Sequence, residues 1–210
     1  MSEPTPQPSR LPRDIHIAAV LCLLISGLIG MSTVVEISRL AQLSEYKEAI
    51  HSGPGAQGDN ALNAHLLMAQ FSAEDSMREP RSFLLVSLAV ACAFVFVAAA
   101  RILRPGGLPR EGMRRLLCWT SLLAAFLRTI DGAQFQVVVD HMGAALVKGP
   151  FPAQWDATQI EAVKQYGPAV LTWFYRGLTA FVAGSFVLLG QYFRSERVRQ
   201  VVIAQDGPTE

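Results

Sequence analysis

The residues from Leu116 to Val139 form a stretch that is apolar and long enough to cross a lipid bilayer, yet two ionisable side chains lie in its interior. Arg128 and Asp131 are three positions apart, so on a helix they share a face. Ionisable groups at membrane depth are costly, and they normally face the interior of a helix bundle, a partner or water. The other membrane segments must therefore be arranged so that they cover this pair.

Three further stretches have a similar length and apolar character. The first of them follows Arg10 and Arg13, as a signal peptide would, but it is longer than the apolar region of about 7–15 residues in signal peptides, and no A-x-A cleavage pattern follows it. The sequence therefore predicts an all-α integral membrane protein, a four-helix bundle. Its spans lie at approximately 15–35, 82–103, 116–139 and 169–193.

The polar connection 36–81 has the pattern of a helical hairpin. Residues 36–51 can continue as helix, and the Gly, Pro and Asn content of 52–60 marks a break. Asn60 is a suitable N-cap for a second helix over 61–77, which carries an apolar stripe at helical spacing. We predict that this hairpin stands on the outer membrane surface.

The second polar connection, 140–167, is predicted to contain one short helix. Asp156 and Gln159 have the spacing of a capping box at its start. Gly167 and Pro168 are typical helix breakers, so we expect them to end this helix and to begin the last span.

The distribution of basic residues predicts the orientation, because four spans place both chain ends on one side. That side would hold Arg10, Arg13, Arg101, Arg104, Arg110, Arg114, Arg115, Arg194, Arg197 and Arg199. The other side would hold Arg39, Lys47, Arg78, Arg81, Lys148 and Lys164, spread over longer connections. The positive-inside rule therefore predicts an N-in/C-in protein, with a disordered cytoplasmic N-terminus (1–14) and a cytoplasmic tail (194–210).

Arg176 is a third ionisable residue inside a span. Counting about 1.5 Å per residue from each span's boundary places Asp131 and Arg176 near the same level of the membrane. The hypothesis is a charge network in which Asp131 pairs with Arg176 and Arg128 joins one turn inward. Such a network is either a structural clamp, or part of a path for an ion, proton or polar substrate, or a contact with a partner subunit.

Pairs of small residues four positions apart occur in three of the spans, and such pairs let another helix approach closely. They predict helix-packing positions at Ser26, Gly30, Ala89, Ala93, Ala180 and Gly184.

Composition excludes several classes of protein. Charged residues make up 17% of the chain and the formal net charge is +1, so no basic surface suggests nucleic acid. Cys22, Cys92 and Cys118 all lie in apolar spans, which indicates neither a disulfide framework nor a metal site.

The preference for arginine over lysine is common in GC-rich bacterial genomes, so we expect a bacterial inner membrane.

The sequence contains no motif or histidine arrangement that indicates catalysis, a metal or another cofactor. We therefore expect a non-enzymatic accessory, scaffold or regulatory subunit, in contact with lipid and with a membrane protein partner or a second copy. The alternative is a small transporter or channel subunit that uses Arg128, Asp131 and Arg176. A membrane enzyme is a third hypothesis, which requires Glu36, Asp140 and His141 to converge.

Overall fold

The computed structural model describes residues 12–52, 61–104 and 110–206, and all regular secondary structure in these ranges is helical. The helices are α1 (Arg13–Ala41), α2 (Leu43–Ser52), α3 (Ala61–Ser76), α4 (Arg78–Leu103), α5 (Arg110–Lys148), α6 (Ala157–Arg194) and α7 (Glu196–Asp206). Four of them, α1, α4, α5 and α6, are long and apolar enough to cross a membrane. The predictions about residues 1–11, the break at 53–60 with the Asn60 cap, and the loop 105–109 lie outside the described residues.

The predicted break at Gly167 and Pro168 is wrong, because α6 continues through Pro168. A proline inside a helix removes one backbone hydrogen bond. Here its ring packs on Gly143 of α5, where an added Cβ would lie 3.2 Å from the Pro168 Cβ. A Cβ on Gly167 would likewise lie 2.5 Å from the side chain of Leu146. The two residues therefore bring α5 and α6 close together instead of ending a helix.

The contacts within the chain divide it into two units. The first unit comprises 1–31, 88–126 and 183–210, and the second comprises 32–87 and 127–182. Each long helix contributes residues to both units.

In the first unit the predicted small pair of α1 is a packing site. Ser26 is buried and donates a hydrogen bond to the Cys22 carbonyl at 2.5 Å. A Cβ on Gly30 would lie 3.3 Å from the Cβ of Cys92, so α1 and α4 approach closely there. A second close approach joins α5 and α6, where a Cβ on Gly190 would lie 3.3 Å from the Cys118 carbonyl oxygen.

The other two predicted pairs are less buried than Ser26. Ala93 and Ala180 are exposed, and Ala89 is half-buried. A Cβ on Gly184 would meet no heavy atom within 4 Å. Spacing alone identified the residue type that permits close approach, but it did not identify which face of the helix has a neighbour.

Gly132 makes the tightest approach between α5 and α6 in the second unit. A Cβ there would overlap the Thr179 side chain, with Oγ1 at 2.7 Å and the Thr179 Cβ at 3.0 Å. Threonine is stiff about its first side-chain torsion in a helix, so it cannot easily turn away.

Gly132→Ala is therefore expected to lower the free energy of unfolding by about 1–3 kcal/mol, the usual cost of overpacking. Thermal unfolding in one detergent would measure the effect. Gly177→Ala is the matched control, because nothing lies within 4 Å of that Cβ and the change should be neutral or stabilising. Thr179→Ala should recover part of the loss, and equal effects at both glycines would contradict the packing described here.

Candidate functional site

The second unit contains a cavity of about 420 Å³ that five helices line. Its wall combines charged, hydroxyl and aromatic side chains. The lining residues are Ser32, Val35, Glu36 and Arg39 of α1, Gln70 of α3, Arg81 of α4, Arg128, Asp131, Gly132 and Phe135 of α5, and Tyr175, Leu178 and Thr179 of α6. Ser32, Val35 and Leu178 are exposed, so the cavity reaches the surface of the unit.

Arg81 and Asp131 are the most deeply buried charges of the cavity wall, each with 1% of its surface exposed. The Arg81 Nη2 atom donates a hydrogen bond to Glu36 Oε1 and lies 3.7 Å from Asp131 Oδ1. The other oxygen of Asp131 accepts a hydrogen bond from Arg128 Nη1. The four side chains therefore form one chain of ion pairs, Glu36–Arg81–Asp131–Arg128, across α1, α4 and α5.

A second ion pair lies beside this chain. Glu74 of α3 is completely buried, and its Oε1 atom accepts hydrogen bonds from Arg39 Nη2 at 2.7 Å and from Gln70 Nε2 at 2.8 Å. Arg39 and Gln70 both line the cavity. The cavity wall and the adjoining Glu74 thus contain three arginines and three carboxylates. This set is neutral when all six groups are ionised.

Several buried polar atoms of this cluster have no hydrogen-bond partner among the described residues. They are Nε of Arg39, Nε and Nη1 of Arg81, Nε of Arg128, Oε2 of Glu74 and Oδ1 of Asp131. Most buried polar groups in proteins are hydrogen-bonded, so these atoms represent bonding capacity that the protein itself does not use. Guanidinium donors provide the larger part of it.

An aromatic pair supports the centre of the cluster. The Arg81 guanidinium carbon lies 4.7 Å from the centre of the Phe135 ring, which is within the range of a cation–π contact. Phe135 in turn contacts Tyr175 of α6, with 4.9 Å between the ring centres. Arg81 is therefore held by a ring as well as by carboxylates, and α6 is joined to the site through Tyr175.

The structure brings two of the three predicted network residues together. Arg128 and Asp131 form an ion pair, but the predicted partner Arg176 is exposed. Its Nε atom donates to Gln136 at 3.2 Å, and its guanidinium carbon lies 5.9 Å from the centre of the Trp173 ring. The reason is rotation about the helix axis. Tyr175 lines the cavity, and the next residue of a helix points about 100° away from it.

Sequence reasoning missed the residue at the centre of the cluster, because Arg81 was assigned to a polar connection. α4 begins at Arg78 and α1 continues to Ala41, so Glu36, Arg39 and Arg81 are helical. Ser32, Glu36 and Arg39 have the spacing of one helix face. This spacing could have identified Glu36 and Arg39 as neighbours at a common site.

The residues of the predicted membrane-enzyme site do not converge. Asp140 and His141 are exposed; Asp140 accepts a hydrogen bond from Gln136, and His141 Nδ1 contacts the Val137 carbonyl. Neither lines the cavity to which Glu36 belongs. Within the described ranges, no group of three His, Cys, Asp or Glu side chains could hold a metal ion.

The α2–α3 hairpin is the other ordered feature of the second unit. Its helices pack on each other through Tyr46 and Phe71, whose ring centres are 6.2 Å apart. Lys47 donates a hydrogen bond to Asp75 at 2.7 Å, and this bond holds the pKa of Asp75 below its usual value. Arg78 Nη2 donates to the Ala41 carbonyl at 3.1 Å, which fixes the base of the hairpin.

Comparisons with protein-family models, curated proteins and solved structures find no match for this chain.

Replacing Arg81 should be far more costly than replacing Arg176. Arg81→Gln removes the positive charge that compensates the buried carboxylates of Glu36 and Asp131. Removing one partner of a buried ion pair lowers the free energy of unfolding by about 3–5 kcal/mol. Arg176→Gln is the matched control, because it removes the same charge from an exposed position. Thermal unfolding in the same detergent compares the two variants. A large loss at Arg176 with none at Arg81 would instead support the pair predicted from the sequence.

Proposed function

We propose that the chain is a multi-pass integral membrane protein that crosses the bilayer with α1, α4, α5 and α6. Between 17% and 44% of the residues in the most apolar part of each helix are buried, so most of that surface needs another apolar environment. Large apolar side chains with at least 70% exposure occur on three of these helices: Leu28, Met31, Phe83, Trp173, Phe181 and Leu188. Exposed apolar surface of this extent marks contact with a membrane or a partner.

The proposed orientation places both termini in the cytoplasm of a bacterial cell, with the α2–α3 hairpin outside. The excess of arginine at the predicted inner ends of the spans supports it. In this orientation the cavity lies near the outer side, because it is built where α1 ends and α4 begins.

The role that the geometry supports best is the non-enzymatic binding of a small polar or charged solute in the cavity, as in a transporter or channel subunit. The cavity itself is the observation that carries this proposal. Its volume lies within the roughly 300–1,000 Å³ typical of ligand sites. The charged side chains at its wall are partly accessible, with exposures of 23% for Glu36, 34% for Arg39 and 20% for Arg128.

The ion-pair chain gives this site a way to accept a charged solute. Arg81 lies between Glu36 and Asp131, so it keeps one carboxylate partner when the other turns toward a solute. No charge is then isolated in a buried environment, which is the costly state. The partly exposed guanidinium groups of Arg39 and Arg128 add positive charge at the wall for an anionic group.

A second candidate role is that of an accessory, scaffold or regulatory subunit. The ordered α2–α3 hairpin favours it, because the Tyr46–Phe71 contact and the Lys47–Asp75 pair hold a polar surface in a defined shape. In this role the charge cluster serves as a clamp that fixes α1, α3, α4 and α5 in register, and the partner binds the hairpin or the exposed membrane face.

Cysteine accessibility in native membranes distinguishes the two roles. In a chain without Cys22, Cys92 and Cys118, single cysteines replace Thr179 at the cavity wall or Val138, which is 0% exposed and outside the cavity. A membrane-impermeant maleimide added from outside should label Thr179→Cys and leave Val138→Cys unlabelled.

Ser44→Cys on the exposed side of α2 controls for orientation and should be labelled from outside. Protection of Thr179→Cys, with normal labelling of Ser44→Cys, would rule out a water-accessible cavity and leave the accessory role. Protection of Ser44→Cys from outside, with labelling from inside, would reverse the proposed orientation.

A further inference from the structure

A second cavity, of about 300 Å³, lies in the first unit where α5 begins and α6 ends. Four arginines line it, Arg114, Arg115, Arg194 and Arg199, together with Glu196 and Trp119. α7 completes the wall, and its Val198 and Val202 are each only 1% exposed, so the helix is packed onto the unit. The cavity is therefore a built feature with an unusually basic lining.

The carboxylates around this cavity do not balance its arginines. Glu111 receives hydrogen bonds from Arg114 at 2.7 and 2.8 Å and from Arg115 at 2.8 Å. Glu196 accepts from Arg199 at 3.2 Å. The Arg194 guanidinium has no ion pair with any described residue, so the four arginines and two carboxylates leave an excess of positive charge.

Arg114 gives the cavity a fixed point. It is 6% exposed, and its Nη1 atom donates to the Phe193 carbonyl at 2.5 Å while Glu111 orients the rest of its guanidinium. Guanidinium groups bind phosphate oxygens in pairs of parallel hydrogen bonds, and fixed ones lose little freedom when they do so. The chemistry of the lining thus fits a phosphate group.

An apolar stripe on α5 begins at the same place. Trp119, Leu123 and Phe126 are exposed by 68%, 49% and 63%, and their spacing places them on one helix face. At about 1.5 Å per residue the stripe extends roughly 10 Å from the cavity. A soluble phosphate compound would not need this surface, whereas the acyl chains of a lipid would cover it.

We propose that this cavity binds the phosphate of an anionic phospholipid, with the acyl chains lying along Trp119, Leu123 and Phe126. Basic pockets at the cytoplasmic ends of membrane helices recognise anionic headgroups, and tryptophan is enriched at the same depth. The inference rests on the proposed membrane embedding and is independent of the solute cavity in the second unit.

Native mass spectrometry of the full chain in detergent tests the site. Phosphatidylglycerol and phosphatidylcholine with identical acyl chains are titrated onto the native chain, Arg194→Gln and Arg101→Gln. Arg194→Gln should weaken phosphatidylglycerol binding about fivefold, as expected for one basic group near a lipid surface, and leave phosphatidylcholine unchanged. Arg101→Gln is the matched control, because Arg101 is exposed at the end of α4 and does not line the cavity.

Equal loss in the two variants, or no loss in Arg194→Gln, would overturn the site. Trp119→Ala distinguishes the source of the phosphate, because it should weaken phosphatidylglycerol binding but not the binding of inorganic phosphate. Displacement of phosphatidylglycerol by millimolar inorganic phosphate, with no effect of Trp119→Ala, would overturn the lipid assignment.

Carbonate extraction of cell membranes tests embedding separately, so release of the chain would refute the proposed membrane role whatever the lipid titration shows.

Discussion

The cost of burying charge governs the second unit. An isolated ion in a buried environment costs several kcal/mol unless a partner compensates its charge. Arg81 avoids this cost only because Glu36 of α1 and Asp131 of α5 lie beside it and Phe135 covers one face of its guanidinium. The relative positions of α1, α4 and α5 are therefore constrained by one side chain, and close packing at Gly132 and Gly143 adds α6 to the same arrangement.

The clamp and the binding site consist of the same atoms, so the two interpretations are not exclusive. A cluster of three arginines and three carboxylates is neutral when all six groups are ionised, which lowers the cost of burying it. The same cluster borders about 420 Å³ of space, and its Glu36, Arg39 and Arg128 side chains are partly exposed. A purely structural clamp needs only close packing around its pairs, and protein interiors are normally close-packed. The space beside these pairs is not needed for a clamp, and it therefore favours a ligand.

The sequence predicted the long apolar helices and the shared helix face of Arg128 and Asp131 for clear physical reasons. Helices of this kind follow from length and composition, and a pair three residues apart needs no tertiary information. Arg81 was missed because hydropathy ends a span where charge begins, although the helix continues beyond that point. Arg176 lies outside the cluster although its predicted depth matches that of Asp131, because depth along a helix does not determine rotation around it. Small-residue spacing has the same limit, since Gly30 faces Cys92 closely while Ala93 is exposed and a Cβ on Gly184 would meet no heavy atom within 4 Å.

The contacts of the arginines give a physical reason for the preference for arginine over lysine, which the sequence alone linked to genome composition. Of the 18 basic residues, only Lys47, Lys148 and Lys164 are lysines. A buried lysine readily loses its proton, whereas a guanidinium stays charged and offers five donors in a fixed plane. Arg81 uses these properties to contact two carboxylates and a ring, and Arg114 uses them to hold a carboxylate and a backbone carbonyl together. An ammonium group has neither the planar shape nor the secure charge for these positions, so these two sites require arginine whatever the base composition of the genome.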